Sequence, residues 1–176
     1  MRRNAVLLVT VSSVAGVGGG AMAVVAGAWL LDLTGSARLA ALGGLCTYAP
    51  VLAGPWLGVL LDRVSPRPMV VAVNLVLAGA LLSLLAVRAP GQAWLVYATC
   101  LAYGVGHVLL DAAETVLLPR ALPAALLGDV NGWRTSAQEG AKLVAPLAAV
   151  GLYAWYGGHA VAGLAAAAAT LAALLY

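Results

Sequence analysis

Charged residues are too sparse to cover a water-facing surface, and this limits the fold more than any other feature of the chain. Between Arg3 and Asp32, and again between Lys142 and Tyr176, no Asp, Glu, Lys or Arg occurs. Only 9% of the 176 residues are charged and 64% are hydrophobic, against ~25% and ~45–50% in soluble domains. A soluble globular enzyme is thereby excluded. So is a disordered chain, which needs low hydrophobicity. A helix crosses a bilayer with about 20 apolar residues, so the length accommodates about six crossings. The expected fold class is an all-α membrane protein with six transmembrane helices in one bundle.

Charges and turn residues place the expected spans at about 5–31, 38–61, 69–88, 93–118, 132–155 and 159–176. Asp32 to Ser36 closes the first. Ser65-Pro66-Arg67-Pro68 separates the second from the third, because proline cannot continue a helix. A polar loop is expected over about 119–131, around Pro119, Pro123 and Asp129. Gly157-Gly158 turns the chain into the last span. At the start, Met1-Arg2-Arg3 and Ala21-Met22-Ala23 resemble a signal peptide with its cleavage site. The uncharged run continues to Leu31, beyond the ~7–15 residues of a signal core, so an uncleaved first helix is expected.

Positive residues orient such a chain, since cytoplasmic loops carry the Lys/Arg excess. With the N-terminus in the cytoplasm, the inner segments hold Arg2, Arg3, Arg63, Arg67, Arg120 and Arg134, and the outer loops only Arg38 and Arg88. Trp29, Trp94, Tyr97, Tyr153, Trp155 and Tyr156 then fall at outer helix ends, as an interfacial aromatic belt requires. The last helix stops at Tyr176 without a polar tail, which raises the expectation of a fragment of something longer. The expected location is a bacterial plasma membrane, crossed several times.

Ionisable groups inside spans are costly and mark function or packing. His107, Asp111 and Glu114 lie within an arc of about 60° on one helix face. Glu139 and Lys142 share a face of the next helix, with Pro146 beyond them as a kink. Asp111 and Glu139 both stand ~10 Å from the inner helix ends, so the two charged faces are expected to meet. Three carboxylates face one lysine at that depth, with Arg134 nearer the interface. A carboxylate that exchanges a proton within the membrane is what proton-coupled transport needs; a closed salt-bridge cluster that locks the two helices needs the same residues. His107 reads as a hydrogen-bonded packing residue more readily than as a proton relay.

The remaining features are structural in character. Gly16, Gly20, Gly54, Gly58, Gly104 and Gly106 are suited to close helix approach. Cys46 and Cys100 stand singly in apolar runs, without metal or redox spacing. The net charge of +3 is scattered rather than gathered into a basic stripe, so no nucleic-acid partner is expected. No cofactor and no metal are expected either.

The turn between the second and third spans carries the most specific motif. Gly58-Val59-Leu60-Leu61-Asp62-Arg63-Val64-Ser65-Pro66-Arg67 resembles motif A of the major facilitator superfamily, G-x-L-x-D-R-x-G-R-R. Gly58, the Leu, Asp62, Arg63 and Arg67 match; Ser65 replaces a glycine and Pro66 a basic residue. Gly58 would let the helix pack closely. The resemblance implies that Asp62, Arg63 and Arg67 form a gating cluster that latches the two halves of the transporter. Residues 140–149 resemble motif C of drug/proton antiporters, with Pro146 retained and alanines at 145, 148 and 149 in place of glycines. The branch containing macrolide and siderophore exporters is the most similar in style.

What the resemblance implies is the N-terminal six-helix half of a twelve-helix transporter that works by alternating access. Tyr103, His107 and Asp111 would line its cavity. The function implied is proton-coupled efflux of small hydrophobic molecules, with membrane lipid, protons, a small-molecule substrate and the missing C-terminal half or a second copy as partners. The alternatives are a self-assembling six-helix protein without transport of its own, and a membrane enzyme. The last lacks support, since no Gly-x-Ser-x-Gly, HExxH or Cys/His cluster occurs.

Overall fold

Each helix begins and ends where residue chemistry dictates. The computed structural model describes residues 22–61, 64–121 and 124–175, and no strand occurs among them. Helix α1 spans Met22–Thr34. Gly35 ends it in the left-handed region at φ 65°, and its N–H reaches the Leu31 carbonyl at 2.8 Å. Glycine takes this closing position without a Cβ penalty. Ser36 then accepts from the Leu39 N–H and caps α2, Ala37–Leu52. A break at Ala53 separates α2 from α3, Gly54–Leu61.

Pro66 opens α4, Pro66–Ser83, in the first turn, where a missing N–H costs nothing. A 3-10 turn, Leu84–Ala86, extends it. Gln92 accepts from the N–H groups of Arg88 and Ala89 at 2.7 and 3.2 Å, which fastens the short connection to α5, Ala93–Ala121. The final run, Ala124–Leu175, is two helices joined at Gly157, which has φ 74° and ψ 176°. They are called α6 (124–156) and α7 (158–175).

Pairs of contacts set the directions. Leu39 with Tyr97 and Thr47 with Gly104 advance together, so α2 and α5 run parallel. Ala80 with Thr99 and Leu77 with Gly106 advance oppositely, so α4 and α5 are antiparallel. Three core clusters follow. Met22, Trp29 and Leu30 of α1 meet Leu81 and Leu84, then Val96 and Cys100 of α5, and Ala162 and Ala166 of α7. Val25 joins Ala149 and Val161, and Leu77 with Ala78 joins Ala169.

Large apolar side chains also stand on the outward faces: Leu52, Leu143 and Leu147 are at least three-quarters exposed. Such exposure suits a surface that lipid or another protein covers. Among the described residues, three runs are long and apolar enough to cross a membrane: Pro66–Ala86, Pro90–Leu117 and Leu127–Leu175. The last contains the break at Gly157. Met22–Thr34 and Ala37–Leu52 are shorter apolar helices.

Several sequence expectations change. Residues 5–21 of the first expected span, with Gly16 and Gly20, lie outside the described residues. The second expected span is two helices. The polar loop expected over 119–131 is helical on both sides of residues 122 and 123. Pro119 sits in the last turn of α5, where its missing N–H takes the helical donor from one carbonyl, that of Thr115. Trp29 leaves the expected aromatic belt: it is 5% exposed and lies over Gly158, whose missing side chain makes room for the indole.

Candidate functional site

The residues expected to carry function fall on α3, α4, α5 and α6. On α5 the stripe from Tyr103 to Glu114 does not stay on one kind of surface. Tyr103 is half-buried between two core clusters. His107 and Asp111 are exposed, whereas Glu114 is 7% exposed and turned inward. The 60° arc that groups them on a wheel is enough to cross from an open face to a packed one. Asp111 and Glu114 each engage a neighbour, so neither is an isolated charge.

On α6, Lys142 Nζ donates to Glu139 Oε1 at 2.6 Å, with both side chains about 60% exposed. A pair three residues apart is favoured on any helix surface, but a charge pair facing hydrocarbon is costly. The Arg134 backbone belongs to α6, and its side chain lies outside the described set. Pro146 is half-buried beside Ala145 and Ala149, which face the core. The alanines standing where motif C has glycines are thus packing positions in part: Ala149 touches the cluster of Val25 and Val161.

The motif A-like segment is described at its two ends. Asp62 and Arg63 lie outside the described residues. Arg67 is exposed in the first turn of α4, at the helix end where a cation gains nothing from the backbone dipole. A Cβ on Gly58 would meet nothing within 4 Å among the described residues. Gly104 and Gly106 do carry close approaches, to Thr47 with Pro50 and to Leu77.

The opposite end of the bundle holds a cluster that the sequence did not single out. Tyr153 of α6 donates its hydroxyl proton to Asp32 Oδ2. His159 Nε2 lies 2.8 Å from the Val87 carbonyl, so that nitrogen carries the proton. The same imidazole meets Trp29 edge to face at 5.1 Å between ring centres. Together these contacts tie the end of α1 to both helices flanking Gly157. Each partner is remote in sequence. The local signal was the pair Gly157-Gly158 directly before a histidine.

Among the described residues no group of three or more His, Cys, Asp or Glu could hold a metal ion.

No family model matches the chain. No solved structure matches it. The chain is 25% identical over 149 residues to macrolide efflux protein A of Streptococcus pyogenes, which covers 83% of this chain and 37% of that protein. The same protein from a serotype M6 strain matches equally. The chain thus spans little more than a third of the length of the curated relatives it resembles.

Proposed function

We propose that the chain is the N-terminal part of a secondary transporter of the major facilitator type. It would expel small hydrophobic molecules from a bacterial cell by alternating access, coupled to proton entry. The observation that carries this reading is the likeness to macrolide efflux protein A over 83% of the chain. Long apolar helices support a membrane setting, and ionisable residues on two of them supply the chemistry. Asp111 on the open face of α5 and Glu139 on the open face of α6 are the groups from which a proton could reach either side. Glu114 lies behind Asp111, within the packing. Lys142 is paired with Glu139 on that face.

On this reading six helices cross the membrane, the N-terminus is cytoplasmic, and the rest of the transporter faces α5 and α6 across the substrate path. Asp62, Arg63 and Arg67 act at the inner rim. Catalysis plays no part. The test is transport by Asp111→Asn, Glu114→Gln and Glu139→Gln in the complete reading frame. At least one is expected to lose efflux or its pH dependence. Unchanged efflux and pH dependence in all three would overturn proton coupling through this cluster.

A further inference from the structure

The helix that starts at Ala37 breaks once, and its two parts are held very differently. Pro55 has no N–H to offer the Val51 carbonyl, and its ring disfavours a continuous helix there. At Ala53 the backbone leaves helical geometry, with φ −85° and ψ 2°. Its N–H turns to the Pro50 carbonyl at 3.0 Å, while its own carbonyl accepts from Trp56 and Leu57 and starts α3.

Before the break, α2 is anchored along its length. Gly43 lies under Leu30 of α1, and the Thr47 carbonyl and the Pro50 ring press on Gly104. The Tyr97 hydroxyl donates to the Leu39 carbonyl at 2.9 Å. After the break the contacts thin. Among the described residues, a Cβ on Gly54 would find only Val108, at 4.0 Å, and one on Gly58 would find nothing. None of the described side chains from 54 to 59 is buried, and Trp56 is 75% exposed. Segments with few buried contacts open at low cost.

We propose that Ala53 is a hinge, with α2 fixed to α5 and α3 moving about it as a separate rigid lever. Pro50 seated on Gly104 is the fixed side of the hinge, and Pro55 keeps the two helices uncoupled. The inference concerns the helix itself and stands whether or not the chain moves a substrate.

Paired spin labels test it. With Cys46 and Cys100 replaced by alanine, one protein is labelled at Val59 and Leu171 and a control at Leu45 and Leu164, all exposed positions. The Val59–Leu171 distance distribution is expected to be broader than the control. Pro55→Leu restores the missing N–H and is expected to narrow it to the control width. Ala53→Gly is expected to broaden it further and serves where Pro55→Leu is not recovered folded. Equal widths in the two unsubstituted pairs, or a Val59–Leu171 width indifferent to both substitutions, would overturn the hinge.

Discussion

Gly104 and Thr47 touch backbone to backbone: a Cβ on Gly104 would stand 2.2 Å from the Thr47 carbonyl oxygen and 2.9 Å from Pro50 Cγ. This seam joins α2 to α5, and in a membrane, where burial gives helices little reason to associate, such close packing supplies much of the attraction. Gly104→Ala forces main chain apart rather than a flexible side chain. It is expected to cost about 3 kcal/mol, read as a lowered unfolding midpoint in detergent. Gly58→Ala is the control. With no neighbour near its Cβ, it is expected to leave the midpoint unchanged or to raise it by up to ~1 kcal/mol through the unfolded state.

Gly158 stands to Trp29 as Gly104 does to Thr47, but the neighbour is a side chain. A Cβ at 158 would lie 2.4 Å from the indole. Gly158→Ala is expected to destabilise by ~1–3 kcal/mol. Trp29→Leu removes the clash along with the contact to His159. The double variant is therefore expected to be more stable than the sum of the two single effects, measured as a double-mutant cycle of unfolding free energies.

Thr99 is 1% exposed and its hydroxyl serves two carbonyls, Leu95 at 2.9 Å and Ala80 across the α4–α5 seam at 3.2 Å. Thr99→Val keeps the shape and removes the donor. Cross-helix hydrogen bonds in membranes average ~0.6 kcal/mol, and a loss of that size is expected in the unfolding midpoint. Thr99→Ser, which keeps the hydroxyl, is expected to retain the bond.

Asp32 and Tyr153 couple α1 to α6 near the Gly157 break. Tyr153→Phe and Asp32→Asn are each expected to weaken this end of the bundle, with a coupling of about 1 kcal/mol in the cycle. Hydrogen exchange of residues 28–34 and 150–156 is the direct readout. Faster exchange in both segments of either single variant is expected.

The helical, apolar character of the chain is legible because it follows from the scarcity of charge. The connection at Pro90-Gly91 and the turn at Gly157 were legible because proline and glycine act locally. What failed was the weight given to polar and proline residues without their tertiary setting. Pro119 reads as a stop, yet α5 continues past it to Ala121. Pro50 and Pro55 bracket a break that the apolar run concealed. Trp29 reads as an interfacial residue because nothing near it in sequence says that Gly158, far along the chain, leaves it a seat. The charged residues of α5 and α6 could be found from the sequence, since a charge in an apolar run is visible in one dimension. The turn of Glu114 into the packing could not, because it depends on which neighbours α5 meets.

The proposed efflux is most directly tested by the accumulation of radiolabelled small hydrophobic compounds. Cells without efflux pumps of their own would express the complete reading frame containing this chain, with its level in the membrane verified. Accumulation of at least one compound is expected to fall below that of cells carrying an empty vector. A protonophore is expected to close the gap. Equal accumulation of every compound in the two cell lines, with the protein present in the membrane, would contradict the proposed efflux.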